Sequence, residues 1–111
     1  MDLQIELNTQ IKLLQKSLEN LKVTGRAYAT AERDYKIKLR QEVLKLRDEG
    51  QAIGVITLIC YGIPSVAEAR YQRDVAEAIY KANQEAINTY KLKIKLLEAQ
   101  IGREWANDSR G

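Results

Sequence analysis

The sequence predicts an all-α protein, a long antiparallel helical hairpin with coiled-coil character and a short helical tip. Three observations support this. Two long segments carry apolar residues at spacings of three and four, which is the seam of a coiled coil. Lys, Glu, Leu, Ala, Gln and Arg fill most positions, and these side chains lose little rotamer freedom on a helix. An uncharged stretch with the only proline, Pro64, separates the two segments. With 111 residues the chain forms one domain, 1–111.

Helix 1 is predicted from about Asp2 to Asp48. Leu7, Ile11, Leu14, Leu18 and Leu21 mark its seam, the phase runs through Gly25 and Tyr28, and it then shifts to Ala31, Tyr35, Leu39, Val43 and Leu46. Such a shift is what an inserted stutter produces. Gly50 is the expected C-terminal stop. The connector, 50–64, contains the charge-free run Ala52–Tyr61, expected to form a short helix ended by Gly62. Helix 2 is predicted over about 65–105, opened by a capping box in which Glu68 follows Ser65 by three residues. Its face is read as Val75, Ile79, Ala82, Ala86, Tyr90, Ile94, Leu97, Ile101 and Trp105. The polar tail, 106–111, is expected to fray.

Near-equal segments and a short connector place Leu7 near Trp105, Gly25 near Ala86 and Leu46 near Val66. Two further apolar stripes remain, Val23-Thr30-Ile37-Leu44 on helix 1 and Ala76-Tyr80-Asn83-Ile87 on helix 2. Exposed patches of that extent are uncommon on monomers. Either the connector folds back over them or a second copy of the chain covers them, and both can hold together. A homodimer is therefore an allowed arrangement.

Composition argues against catalysis. There is no His, the commonest general base and metal ligand. No Gly-rich phosphate loop follows a strand. The single cysteine, Cys60, lies in an apolar run without a basic neighbour to favour its thiolate and reads as a small buried hydrophobe. Carboxylates such as Glu32, Asp34, Glu77 and Glu85 read as solvated helix surface. No enzyme, cofactor or metal site is predicted.

The net charge of +3, from 18 basic and 15 acidic residues, permits nucleic-acid contact without requiring it. Basic residues gather at Arg33, Lys36, Lys38, Arg40, Lys45 and Arg47, and again at Lys91, Lys93 and Lys95. Flanking a seam, they are read as solvated. Of these, Arg33, Lys36, Arg40, Lys45 and Arg47 are the candidate contacts for an anionic partner. A helix-turn-helix reading of Ile53–Arg73 is weaker than packing of the connector, because Glu68 would face the DNA backbone. Six tyrosines are the sharper signal, since Tyr and Arg concentrate at interface hot spots. Tyr28, Tyr35 and Tyr90 are assigned to the seams. Tyr61, Ile63, Arg70, Tyr71 and Arg73, at and beside the connector, are the candidate partner-binding residues.

The N-terminus lacks the basic flank and apolar core of a signal peptide. The apolar run Ala52–Pro64 is short of the roughly 20 residues a membrane span requires. A soluble, cytoplasmic protein is expected, without a membrane partner.

The segments Ala31-Glu32-Arg33-Asp34-Tyr35-Lys36, Val75-Ala76-Glu77-Ala78, Gln84-Glu85-Ala86-Ile87-Asn88, Leu96-Leu97-Glu98-Ala99-Gln100-Ile101 and Arg103-Glu104-Trp105 resemble small helical proteins from the early regions of phages and prophages of low-GC Gram-positive bacteria. The resemblance spans about residues 31–105 and carries no catalytic motif. It implies a bacterial host cytoplasm and a stoichiometric binder of a host or defence protein, as with inhibitors of CRISPR nucleases. It is also compatible with a nucleic-acid-binding accessory of phage recombination or replication. A purely structural coiled-coil oligomer is the third reading.

Overall fold

The computed structural model describes residues 2–110, with side-chain surroundings for 2–108. Three α-helices form, α1 (Leu3–Asp48), α2 (Ile53–Ile59) and α3 (Pro64–Arg110), with a 3-10 turn, Cys60–Gly62, between the last two. There is no strand among the described residues. The chain divides into two compact units, one built from Met1–Val23 and Lys81–Gly111, the other from Thr24–Tyr80.

Each boundary has a local cause. Asp2 caps α1, its Oδ1 accepting from the Gln4 N–H at 2.9 Å and the Ile5 N–H at 3.3 Å. At the other end Gly50 adopts φ 84°, and its N–H donates to the Arg47 carbonyl while the Gln51 N–H reaches Leu46. This pair of bonds is a Schellman motif, so Gly50 is the stop the sequence predicted. Lys45 and Arg47 in the last turn suit the negative end of the helix dipole.

The start of α3 differs from expectation. Pro64 is its first residue, where a missing N–H costs nothing, and Ile63 precedes it in extended geometry at φ −65°, ψ 127°. Ser65 therefore lies inside the first turn and cannot act as the N-cap. At the far end α3 continues through Arg110, so residues 106–110 of the expected tail are helical and Gly111 lies outside the described residues; Trp105 is 75 % exposed rather than part of the buried face.

The seams also differ in composition. On α1 the inward positions are Leu3, Leu7, Gln10, Leu14, Ser17, Leu21, Thr24, Tyr28, Ala31 and Tyr35, an unbroken alternation of four and three with no stutter up to Tyr35. Ile11 remains half-buried, but Leu18 is exposed, while Gln10 and Thr24 are buried. On α3 the inward positions are Val66, Ala69, Arg73, Ala76, Tyr80, Asn83, Ile87, Tyr90, Ile94, Leu97 and Ile101, again in unbroken alternation. The stripe Ala76-Tyr80-Asn83-Ile87 is thus the seam itself. Val75, Ile79 and Ala82, expected to line it, are exposed. The physical reason is that Val75-Ile79-Ala82-Ala86-Tyr90 contains two successive steps of four, which drift off a straight seam.

In the unit formed by the chain's two ends, Gln10, Asn83 and Ile87 are buried. The Asn83 side-chain amide donates to the Ser17 carbonyl at 3.0 Å, tying α3 to α1. Gln10 donates to Glu6 at 3.0 Å within its own helix. Trp105 and Ile101 share a recess with Asp2, Leu3 and Gln4, so Trp105 lies about one turn away from the Leu7 level assigned to it.

In the unit Thr24–Tyr80 the buried residues are Thr24, Tyr35, Ile56, Cys60 and Val66, the last with no exposure at all. Gly25 lies against Tyr80 rather than Ala86: a Cβ there would stand 3.3 Å from the ring carbon Cε1. The Tyr80 ring also contacts Tyr28, centroids 5.9 Å apart. A large ring set against a glycine replaces the small-on-small approach expected. Only Ile56 and Cys60 of the connector helix turn inward, and Ile37 and Leu44 stay exposed at 49 % and 44 %. The connector folds back, but not over the Val23–Leu44 stripe.

Asn83→Ala removes an inter-helix hydrogen bond and is expected to lower stability by about 1–2 kcal/mol, read as an earlier urea midpoint by circular dichroism. Asn83→Leu should preserve or raise stability while broadening the amide NMR spectrum, because the polar constraint on register is lost.

Candidate partner-binding surface

A seven-residue helix such as α2 is too short to be stable in isolation. Its N-cap, Ala52, contributes no side-chain bond, and the helix carries no charge. Local support comes from the Ile56 N–H donating to the Ala52 carbonyl at 3.0 Å and the Thr57 hydroxyl donating to Ile53 at 3.0 Å. Ile56 and Cys60, four residues apart, are therefore the anchors that hold α2 in place, and burial of each apolar side chain supplies about 1.5–3 kcal/mol. Cys60 is 4 % exposed with its Sγ 3.9 Å from the Thr57 carbonyl. Its place is that of a small packed hydrophobe, as the sequence suggested.

Anchoring one side of a short apolar helix leaves the other side open. Leu58 is 84 % exposed there, with Val55 and Ile59 also exposed, while Ile53, at the start of the helix on the Ile56 side, is 75 % exposed. Tyr61 is exposed on the following turn, its ring 5.5 Å from the Arg70 guanidinium. That stacking holds both groups in place at small entropy cost. Tyr71, next along α3, is 61 % exposed, and Ile63 is half-buried. Between the end of α1 and α2 runs a groove of about 350 Å³, lined by Leu39, Val43, Arg47, Ile56, Thr57 and Tyr61.

Tyr61, Arg70 and Tyr71 are thus presented to solvent beside an apolar face. Arg73 is not. Its guanidinium sits 4.6 Å over the Tyr35 ring, bonds Asp74 at 2.9 Å and approaches Glu32 at 3.7 Å. Hydrogen bonding to Asp74 and the nearby carboxylates hold its pKa above the ordinary arginine value. Arg73 belongs to the α1–α3 seam, its stem packed and its charge satisfied. Its place at the seam was not legible in the sequence, because an arginine in a heptad pattern looks like surface. Ile53 and Leu58 were missed as individual residues, although an uncharged run with room for only two anchors signals that the rest must face outward.

The carboxylates likewise divide. Glu32 pairs with Lys36 at 3.4 Å as well as with Arg73, and Glu77 accepts from the Tyr28 hydroxyl. These two stand at the α1–α3 seam rather than on open surface. The hydrogen bond to Glu77, then loss of hydration, then the Glu77 and Glu32 charges raise the Tyr28 pKa. Among the basic candidates, Arg33 binds Asp34 at 3.2 Å, and Arg40, Lys45 and Arg47 are exposed. No group of three or more potential metal ligands occurs among the described residues. No single helix there is long and apolar enough to cross a membrane.

No family model, curated protein or solved structure matches the chain.

Because the folded protein holds the Tyr28 proton more tightly than the unfolded chain does, that contribution is complete below the ordinary tyrosine pKa. It is lost as pH rises through the higher folded value. The stability advantage of the parent over Tyr28→Phe should therefore be visible at pH 8 and shrink as pH rises beyond the ordinary tyrosine pKa, in paired denaturant titrations. Arg73→Ala should cost about 1–2 kcal/mol, and Arg73→Lys should recover only part, since lysine lacks the planar face that stacks on Tyr35.

Proposed function

We propose that the chain is a non-enzymatic protein-binding module, an antiparallel helical hairpin whose connector presents an apolar and aromatic surface to a host or defence protein. Opposed pairings within each unit support the hairpin. Residues 25 and 28 meet 80 while 32 and 35 meet 73, and 17 meets 83 in the other unit. The observation that carries the binding role is Leu58 at 84 % exposure on a helix whose other side is anchored. Exposing Leu58 and Ile53 forgoes burial worth several kcal/mol in total, which a binding surface recovers on docking.

The resemblance to early-region phage proteins suggests the class of partner, a bacterial host or defence protein such as a CRISPR nuclease, with inhibition as the outcome. A nucleic-acid-binding accessory is the second reading, favoured by the exposed Arg40, Lys45 and Arg47. A structural coiled-coil oligomer, with a homodimer as its simplest form, is the third. In all three the protein works in the bacterial cytoplasm.

Affinity capture from a phage-sensitive Gram-positive host, with and without nuclease, separates them. One dominant protein that survives nuclease and disappears with the Leu58→Ser/Tyr71→Ala variant is expected. Recovery that depends on nucleic acid, and falls steeply with salt, would transfer the assignment to the second reading. Tight self-assembly with no other captured protein would transfer it to the third.

A further inference from the structure

The side of α1 turned away from its seam carries a second heptad register. Arg26, Arg33, Arg40 and Arg47 recur at seven-residue steps, with Thr30, Ile37 and Leu44 interleaved between them. The face therefore alternates arginine with Thr, Ile or Leu at steps of four and three, the periodicity of a coiled-coil seam. Each seven-residue step advances about 10.5 Å and drifts about 20° around the axis, so the arginines form a gently winding row. All seven residues are exposed, and all belong to the unit Thr24–Tyr80. Arg33 is shared with Asp34, but Arg26, Arg40 and Arg47 make no ion pair among the described residues. A shallow recess of about 520 Å³ beside Ile37, bounded by Tyr28, Ala29, Glu32, Arg33 and Lys36, offers room for one incoming side chain.

Charge decides what fits this face. A second copy presenting the same face would set arginine against arginine. Neither long helix carries three acidic residues at seven-residue steps, so no other face of this chain supplies the complement. A phosphate backbone would neutralise the arginines yet leave Ile37 and Leu44 without apolar cover. A helix with carboxylates and apolar residues in the same alternation satisfies both rows at once, because guanidinium and carboxylate pair in fixed fork geometry. We propose that this face of α1 docks an acidic amphipathic helix of a partner protein. Its apolar residues cover Ile37 and Leu44, and its Glu or Asp side chains lie against Arg26, Arg40 and Arg47. The row meets the groove beside α2 at Arg47, whereas Ile37 and Arg40 lie outside that groove, so variants at those two positions test this surface apart from α2.

The test titrates the full chain with a fluorescent peptide of about 24 residues, long enough to span the row, with Leu and Glu in the four-three alternation. A scrambled peptide of identical composition and a duplex DNA oligonucleotide are run beside it at physiological salt. The patterned peptide should bind at least ~10-fold more tightly than the scrambled one. Ile37→Ser and Arg40→Glu should each weaken it by roughly 10-fold, about 1.4 kcal/mol. Circular dichroism checks that these exposed-site variants keep full helicity. A patterned peptide with Lys in place of Glu should bind the triple variant Arg33→Glu/Arg40→Glu/Arg47→Glu and not the parent. Equal binding of patterned and scrambled peptides, or no binding of either, would overturn the proposal. So would tighter binding of the DNA that is indifferent to Ile37→Ser, which would assign the arginine row to phosphates.

Discussion

A side-chain amide on a backbone carbonyl, Asn83 to Ser17, is the constraint on which the pairing of the two long helices turns. The Ser17 carbonyl belongs to the interior of a continuous helix, so the amide adds a bond to a position that is already fixed. It can form only when α3 has one rotation and one axial position relative to α1 in that unit. Among the described residues few large apolar side chains are buried, and Val66 alone is wholly so. The seam positions on either side of Ser17 are Leu14 and Leu21, so a shift of one turn would set the amide against a leucine side chain in place of a serine. Polar placement therefore selects the register, and apolar burial supplies most of the energy within it.

The same division of labour runs through the unit Thr24–Tyr80. Tyr35 is buried beneath Arg73, whose charge is met by Asp74 and Glu32, while Tyr28 donates to Glu77. Each contact joins an aromatic ring or hydroxyl to a charged group, and each depends on which residue stands opposite. The Gly25–Tyr80 approach adds a steric constraint of the same kind, because a Cβ at position 25 would stand 3.3 Å from the ring and make it give by a few tenths of an ångström.

The extent of the helices was legible in the sequence, since Gly50 and the Pro64 region mark backbone events that depend on few neighbours. From Tyr90 to Ile101 the inward face was also legible, because the apolar residues there coincide with the seam. Upstream the hydrophobic pattern pointed to Val75, Ile79 and Ala82, one residue off the true seam. Apolarity ranks valine and isoleucine above tyrosine, asparagine and arginine. The seam instead uses Tyr80, Asn83 and Arg73 for bonds that a hydropathy pattern cannot weigh. Of the candidate binding residues, Tyr61, Arg70 and Tyr71 lie at the surface and Arg73 does not, for the same reason. Arg26 escaped notice because its partners in the row are far apart in sequence and the pattern emerges only once the helix is known to be straight in phase.

The termini around α2 bear on how such a protein changes over generations. The Schellman turn at Gly50 and the helix start at Pro64 are fixed by main-chain geometry, and Ile56 and Cys60 are the buried anchors of the intervening segment, with the Tyr61 ring against Arg70. The exposed side chains of Ile53, Val55, Leu58 and Ile59 are the ones that can vary with least disturbance to either long helix. The connector is in that sense an exchangeable cassette on a constant frame. Rewriting a handful of codons there changes the chemistry that the connector shows to solvent, while the residues that keep the frame folded stay as they are.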